Sequence, residues 1–209
     1  MALTICLLGA ESTGKTTLSQ SMAASLRASG HRVAVAPEVL REWCEREGRV
    51  PRPEEQLALA ERQEQQVDEA AAQADVVIAD TSALMVAIYA GMLFPGGALY
   101  RYAFERQRRY ATTLVTGLDL PWVPDGLHRE GPAVQASVDA QVRAALQQAG
   151  IAFRVVYGEG EERARNALAP VLALLGEAVH PQRRWTWACD KCGDPVCEHR
   201  LFTALRDRG

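Results

Sequence analysis

The stretch that decides the fold is Gly9-Ala-Glu-Ser-Thr-Gly-Lys-Thr16, which fits the pattern G-x-x-x-x-G-K-[S/T]. It follows the apolar run Leu-Thr-Ile-Cys-Leu-Leu, which is typical of a buried parallel strand, and it opens a segment with a helical pattern. In this setting the glycines let the backbone wrap around phosphate oxygens, and successive N–H groups at the helix start face the negative charge. The alternative is a chance match in an ordinary turn, which the order of strand, loop and helix disfavours. The motif therefore predicts a nucleoside triphosphate site.

Each part of this loop has an expected role. Lys15 is expected to reach the β- and γ-phosphates, and the hydroxyl of Thr16 is expected to bind Mg²⁺. Lys15 is one of only two lysines among 23 basic residues, which indicates that a lysine is present there for its chemistry. The rest of the nucleotide contact is assigned to the loop and the first helical turn, namely Gly9, Glu11, Ser12, Thr13, Gly14 and Thr17.

Composition restricts the class of protein. The chain has 209 residues, enough for one domain with a small appendage, and is 48% hydrophobic and 23% charged, as in soluble globular proteins. Its apolar runs are shorter than the roughly 18 residues of a membrane span, and the N-terminus lacks the basic region of a signal peptide. A net charge of −3 argues against general nucleic-acid binding. We therefore expect a cytoplasmic protein with neither membrane nor nucleic acid as partner.

The remaining pattern alternates strands with helices, which predicts a doubly wound α/β fold with a parallel five-stranded sheet of the P-loop kinase type. The strands are predicted at residues 3–9, 31–38, 74–81, 118–126 and 151–158. The helices are predicted at residues 14–29, 38–47, 53–74, 82–93, 98–116, 132–149 and 161–175. We expect this kinase-like domain to span residues 1–179, with a small separate element at 180–209.

A second part of a nucleotide site is predicted at the end of the third strand. The run Val-Val-Ile-Ala-Asp80 places a carboxylate beside the phosphate loop in this topology, where it could help to hold Mg²⁺ through water. An alternative role for Asp80 is to cap the following helix. The residue after Asp80 is threonine, so the acidic pair of mechanical ATPases is missing, and the N-K-x-D motif of GTPases is absent. A small-molecule kinase is the class that remains.

Four segments carry a more specific resemblance. They are Gly-Ala-Glu-Ser-Thr-Gly-Lys-Thr-Thr-Leu, Pro-Glu-Val-Leu-Arg-Glu-Trp, Asp-Val-Val-Ile-Ala-Asp-Thr and Leu-Asp-Leu-Pro-Trp-Val-Pro-Asp-Gly-Leu-His-Arg-Glu. Over about residues 3–175, the chain resembles the ribosylnicotinamide kinase domain of bacterial NAD-biosynthesis regulator proteins. That domain is usually fused to a DNA-binding segment and a nucleotidyl transferase. No residues precede the kinase-like segment here and the tail is short, so a freestanding member is expected.

The resemblance implies transfer of a phosphoryl group from ATP to the 5′-hydroxyl of a nucleoside-like acceptor. Glu38 ends the second strand, where ligands collect in an open parallel sheet, and is assigned to the acceptor hydroxyl as a base or orienting group. The alternative is an acidic residue favoured at a helix N-terminus. Arg41 lies one turn further on, where it could pair with Glu38 or a phosphate, or could have a solvated or structural role.

The segment around Trp122 is the other expected part of the acceptor site. The indole face of Trp122 could stack on a cationic pyridinium ring, whereas the alternative is a tryptophan of the core. Asp119 and Asp125 bracket it and could accept hydrogen bonds from ribose hydroxyls. Arg129 is assigned to the transferring phosphoryl group as a lid arginine, with an exposed loop arginine as the alternative. Second-choice phosphate ligands are Arg101, Arg106, Arg108 and Arg109.

The tail contains the spacing Cys189-x-x-Cys192-x₄-Cys197-x-His199. Three thiolates and one imidazole suit tetrahedral Zn²⁺, and closed sites of this kind are usually structural. A redox Cys-x-x-Cys pair is the alternative, although the strand-to-helix setting of a thioredoxin motif is missing. A zinc knuckle that binds nucleic acid stays open, since His-Pro-Gln-Arg-Arg-Trp is locally basic.

The sequence leaves three functions in competition. The leading hypothesis is an ATP-dependent kinase that makes nicotinamide mononucleotide from nicotinamide riboside. The second is a kinase for another nucleoside or small metabolite. The third is an ATP-binding regulatory switch whose zinc-stabilised tail docks a partner.

Overall fold

A computed structural model describes residues 2–93, 97–123 and 132–177. Within these ranges a parallel sheet has the strand order β2-β3-β1-β4-β5, which confirms the predicted α/β fold with five parallel strands. The strands are β1 (Leu3–Leu8), β2 (Val33–Ala36), β3 (Val76–Asp80), β4 (Thr112–Thr116) and β5 (Arg154–Val156). The helices are α1 (Lys15–Ala28), α2 (Val39–Glu47), α3 (Pro53–Ala71), α4 (Ala83–Leu93), α5 (Gly97–Gln107), α6 (Pro132–Gln148) and α7 (Gly160–Leu174).

Helices cover both faces of the sheet, and the central strand β1 contributes to the core on each side. Ile5 and Leu7 belong to a buried cluster that includes side chains from α1 and α7. Cys6 and Leu8 belong to the opposite cluster, with side chains from α3, α4, α5 and α6. Alternate residues of a strand point to opposite faces, so a strand segment buried on both sides is expected to be apolar, as residues Ile5 to Leu8 of β1 are.

The fourth strand predicted at residues 118–126 is wrong over 118–123, the part of it that the structure describes, and the helix predicted at 98–116 is wrong beyond residue 107. Helix α5 ends at Gln107, and β4 occupies Thr112–Thr116 with the sequence Thr-Thr-Leu-Val-Thr. This run is rich in β-branched residues, which fit a pleated and buried surface. It pairs on one side with β1 and on the other with β5, so it is an interior strand of the sheet. Residues 117–123 then follow its carboxyl end as irregular chain.

The strand order sets the position of the ligand site. Strands β2 and β3 lie on one side of β1, and β4 and β5 lie on the other. The strand order therefore reverses its direction at β1. Ligands of open α/β sheets bind at such a switch point, outside the carboxyl ends of the strands. The register pairs Leu7 with Asp80 and Leu8 with Val115, which brings the ends of these three strands to one edge.

Two further predictions concern membrane-spanning helices and the tail of the chain. Among the described helices, none is long and apolar enough to cross a membrane. The tail element at 180–209 lies outside the described residues, so the division at residue 179 and the zinc site stay predictions.

Candidate functional site

The loop between β1 and α1 has the backbone geometry of a tight cradle. Gly9, Ser12 and Gly14 all have positive φ angles, of 145°, 55° and 73°. At Gly9 a Cβ atom would lie 2.1 Å from the side-chain oxygen of Thr116, so glycine is required there by space as well as by conformation. The first glycine of the motif thus lets the loop turn back closely over the end of β4.

Internal hydrogen bonds already hold this loop in shape. The Lys15 Nζ donates to the carbonyl oxygens of Gly9 at 3.0 Å and Ala10 at 2.8 Å. The Thr13 hydroxyl donates to the same Ala10 oxygen at 2.7 Å and lies 2.6 Å from the Thr116 hydroxyl. Three charged or hydroxyl side chains therefore order the loop, while the hydroxyl-bearing residues Thr16 and Thr17 are exposed at the start of α1.

Asp80 ends β3 beside this loop. Its side chain is buried, with 3% exposure, and its Oδ1 atom has no hydrogen-bond partner among the described residues. The start of α4 is capped by other groups, because the Ser82 hydroxyl accepts from the Leu84 N–H and Glu64 accepts from the Ala83 N–H. A buried carboxylate oxygen without a partner is costly unless a ligand or water completes its shell, so Asp80 fits a water-mediated Mg²⁺ site.

Glu64 is a buried acid that the sequence analysis missed. Burial raises the pKa of its carboxyl group, while the Ala83 N–H and Arg106 oppose the shift. Arg106 pairs with Glu64 at 3.3 Å and with Asp68 at 2.8 Å. Arg106 was a second-choice phosphate ligand, and the structure instead places it in this network between α3 and α5.

Glu38 and Arg41 form an ion pair at the carboxyl end of β2. The Arg41 guanidinium lies 3.2 Å from the Glu38 carboxylate, and the two side chains are 30% and 13% exposed. Gln63 of α3 fixes the start of α2, because it accepts from the Val39 N–H at 2.9 Å and donates to the Pro37 oxygen at 3.0 Å. The turn that carries Glu38 is thereby held against α3.

An open cleft of about 730 Å³ connects the phosphate loop with these elements. It is lined by Ser12 to Thr17, by Arg41, by Leu120, Pro121 and Val123 after β4, and by Glu159 after β5. The Ser12 hydroxyl donates to the Val123 oxygen at 2.5 Å, which fastens the chain after β4 to the loop. Arg41 therefore shares one cleft with the loop while its guanidinium pairs with Glu38.

The other predicted acceptor residues are only partly placed. Trp122 is half-buried, and its indole nitrogen has no hydrogen-bond partner among the described residues. Asp119 is engaged within the protein, as its carboxylate accepts from Arg163 at 2.8 Å and from the Gly158 N–H at 2.6 Å. Asp125 and Arg129 lie outside the described residues, as do the zinc ligands Cys189, Cys192, Cys197 and His199. The roles assigned to all of these residues stay predictions.

Sequence reasoning missed Arg163, which is only 4% exposed on the inner face of α7. It also missed the environment of Glu11, a buried acid within the phosphate loop that accepts from the Tyr89 hydroxyl at 3.1 Å. The backbone oxygen of Glu11 accepts from Gln135 of α6 at 2.9 Å. The signal for Arg163 was its position four residues before Ala167 and eight before Val171, which are buried on the same helix.

The order of strands, the cradle after β1 and the carboxylate at the end of β3 together define a P-loop nucleotide-binding fold. A family model described as an AAA domain matches residues 4–163, more than half of the chain, so the chain belongs to that family. No curated protein matches the sequence.

Solved structures show the same fold. A NadR protein in complex with NR superposes with a TM-score of 0.70 at 18% identity, over 88% of this chain and 54% of that one. A NadR protein in complex with NAD and AMP-PNP gives 0.68 at 18% identity, over 87% and 52%. Thymidylate kinase from Ehrlichia chaffeensis gives 0.57 at 14% identity, over 83% and 98%. The expected resemblance to the kinase domain of NAD-biosynthesis regulators is confirmed at the level of the fold, and this chain spans about half the length of the NadR chains.

Proposed function

We propose that this protein is an ATP-dependent kinase that phosphorylates the ribose 5′-hydroxyl of a nucleoside, with nicotinamide riboside as the preferred acceptor. The observation that carries the proposal is the shared cleft. Arg41 lines the same cleft as the phosphate loop, and its guanidinium pairs with Glu38 at 3.2 Å. The carboxylate of Glu38 is therefore linked to the predicted triphosphate site through Arg41.

The donor side rests on the phosphate loop. The carbonyl oxygens of Gly9 and Ala10 accept hydrogen bonds from Lys15, which places its ammonium group at the loop. From there it binds the β- and γ-phosphates and offsets negative charge that develops during transfer. The N–H groups at the start of α1 contribute the favourable end of the helix dipole.

The residues present fit a magnesium ion. Thr16 is exposed at the first turn of α1, and the Oδ1 of Asp80, which no described residue hydrogen-bonds, lies at the neighbouring strand end. Hydroxyl and carboxylate oxygens are ligands that Mg²⁺ prefers. Thr16 would bind the ion directly and Asp80 would hold it through water. When bound, the ion neutralises charge on the β- and γ-phosphate oxygens.

The acceptor side rests on Glu38. Its carboxylate accepts the proton of the ribose 5′-hydroxyl as that oxygen forms a bond to the γ-phosphorus, and the bond between the γ-phosphorus and the bridging oxygen of ADP breaks. Arg41, which lines the cleft, pairs with Glu38 at 3.2 Å and so fixes the position of its carboxylate. Asp125 and Arg129 are proposed to contact the ribose and the transferring group, as the sequence predicts for them.

The identity of the acceptor rests on an aromatic face and on the relatives. Trp122 lies in the segment after β4, next to Val123. Val123 lines the cleft, and its carbonyl oxygen accepts a hydrogen bond from the Ser12 hydroxyl. Its half-buried indole offers a surface for a flat cationic ring, and nicotinamide riboside carries such a ring. One NadR structure contains NR and another contains AMP-PNP, which supports the same pair of ligands here.

The proposal includes a structural zinc ion in the tail. Cys189, Cys192, Cys197 and His199 supply an S₃N set within eleven residues of chain, as counted from the sequence. Their spacing leaves too few apolar residues for a core, so the metal would provide most of the folding free energy of this element.

Replacement of Glu38 by Gln tests the function. We expect the turnover rate with nicotinamide riboside to fall about 10²- to 10⁴-fold, which is the usual range for loss of a positioned base. The Michaelis constant for ATP should stay unchanged. Glu42→Gln is the matched control, since Glu42 is exposed on the same helix. Equal rates for the two variants, or a wild-type protein that transfers no phosphoryl group to any nucleoside in a panel, would contradict the proposal.

A further inference from the structure

We propose that Arg163 and Asp119 form a positioning device for the triphosphate loop, so that Asp119 serves the ATP side of the reaction. Arg163 lies on α7, far from the loop in sequence, and its guanidinium is buried at the carboxyl edge of the sheet. One of its nitrogens donates to the Thr13 oxygen at 3.0 Å and to the Gly117 oxygen at 3.3 Å. The other donates to the Gly158 oxygen at 2.9 Å and to Asp119 at 2.8 Å.

The contact to Thr13 acts on the part of the loop that faces phosphate. A peptide unit is planar, so its carbonyl and its N–H point in opposite directions. The carbonyl of Thr13 belongs to the same peptide as the N–H of Gly14, the residue at the N-cap of α1. Because Arg163 holds that carbonyl from inside the protein, the Gly14 N–H is directed outward, toward the cleft that the loop lines.

The other contacts make this arrangement rigid. Gly117 follows β4 and Gly158 follows β5, so a single guanidinium joins the phosphate loop to the ends of two further strands. Asp119 completes the arrangement, since its second oxygen accepts from the Gly158 N–H at 2.6 Å. The planar fork of arginine suits this set of acceptors, whereas the ammonium group of lysine is a single point donor.

Burial explains why Asp119 is needed for the device. A charged guanidinium removed from water is costly unless it is paired and hydrogen-bonded. Asp119 supplies the opposite charge, with 27% of its side chain exposed against 4% for Arg163. With both its oxygens occupied by protein donors, the Asp119 carboxylate is committed to Arg163 and Gly158, which distinguishes this role from acceptor binding.

The experiment compares Arg163→Lys and Asp119→Asn with Arg106→Lys in the full chain. Arg106 is a matched control because it is also largely buried and paired with carboxylates, but none of its described partners belongs to the phosphate loop. Binding of the ATP analogue AMP-PNP with Mg²⁺ and binding of nicotinamide riboside are measured by calorimetry, alongside thermal unfolding. The inference rests on the proposed function only in requiring that the loop binds a nucleoside triphosphate.

We expect both site variants to bind the ATP analogue at least about tenfold more weakly, equivalent to about 1.4 kcal/mol, and to bind nicotinamide riboside as the wild type does. Arg106→Lys should bind the ATP analogue normally, even if it unfolds at a lower temperature. Wild-type affinity of Arg163→Lys for the analogue would overturn the inference, and so would weakened riboside binding as the main effect of Asp119→Asn. A wild-type protein that binds the analogue but phosphorylates no nucleoside would contradict the proposed function and leave this inference standing.

Discussion

Replacement of Gly9 by Ala tests the close approach of the phosphate loop to β4. The new Cβ would lie 2.1 Å from the Thr116 side-chain oxygen and 3.3 Å from the Thr116 Cβ atom. Such overpacking typically costs about 1–3 kcal/mol. The φ angle of +145° adds strain for a residue with a Cβ, which costs about 1–3 kcal/mol. We therefore expect a loss of about 2–6 kcal/mol in the free energy of unfolding.

The steric part of this cost can be separated from the backbone part. Thr116→Ala removes the offending oxygen together with its contacts to Thr13 and Leu8, at a cost of about 1–3 kcal/mol for two hydrogen bonds. In the double variant the clash is relieved, so its loss should be smaller than the sum of the single losses by about 1–3 kcal/mol. Gly30→Ala is the control, because Gly30 also has a positive φ angle but no atom within 4 Å of a built Cβ.

Urea-induced unfolding supplies these free energies for the wild type, Gly9→Ala, Thr116→Ala and their double variant. The same measurement is made on Gly30→Ala, alone and combined with Thr116→Ala. Coupling between positions 9 and 116 together with additivity between positions 30 and 116 is the expected result. A Gly9→Ala protein as stable as the wild type, or a double variant with strictly additive losses, would refute the described geometry of the loop.

Three further predictions concern the acceptor site, an ion pair and the tail. Trp122→Ala should weaken binding of nicotinamide riboside about ten- to thirtyfold, or about 1–2 kcal/mol, and leave ATP binding unchanged in calorimetry; equal weakening of both ligands would place Trp122 in the core. Hydrogen bonds from Arg49 and from the Arg52 N–H lower the pKa of Glu55 from 4.5 to about 2. Glu55 is thus protonated more readily in the unfolded chain, so its stabilising contribution is present above pH 4.5 and is lost as pH falls toward 2. Glu55→Gln should flatten the decline of the unfolding temperature across that range, and an unchanged decline would show that the pair is not formed in solution. The purified protein should contain about one zinc per chain, and a strong chelator should increase protease cleavage near residues 185–202 while ATP binding persists; metal analysis without zinc, or a Cys189–Cys192 disulfide in fresh protein, would contradict the tail assignment.

The fold was largely predictable because its signals are local. A continuous apolar strand, a glycine-rich loop and a helix occur within the first 30 residues, and each later strand is a short apolar run between helical segments. The exception was β4. Its sequence Thr-Thr-Leu-Val-Thr directly follows a helical pattern with no glycine or proline between them, whereas Gly117 comes only after the strand. The apolar residues around Pro121 and Trp122 predict a strand at 118–126 instead. The β-branched residues of Thr112–Thr116 are the better indicator of a buried strand.

The site was predictable where residues are neighbours in sequence and less so where they meet through the fold. The loop and Asp80 follow from motif and strand order. Arg163 meets Thr13 only because α7 returns to the edge of the sheet beside the loop, 150 residues later in the chain. The helical spacing of Arg163 to Ala167 and Val171 indicates a buried helix face, but no local pattern shows which carbonyl groups its guanidinium binds. Asp119 pairs with Arg163 only because α7 packs at this edge of the sheet. The sequence alone therefore gives no sign that the Asp119 carboxylate is already paired within the protein.

The most direct test of the central claim is the stoichiometry of phosphoryl transfer by the 209-residue chain. Nicotinamide riboside and ATP are incubated with the protein and Mg²⁺, and nicotinamide mononucleotide and ADP are quantified by chromatography and phosphorus NMR. The account predicts equal amounts of the two products from the wild type and none from Lys15→Ala, because that variant lacks the ammonium group that the loop holds for the phosphates. ADP formed without the mononucleotide, or undiminished mononucleotide from Lys15→Ala, would contradict it.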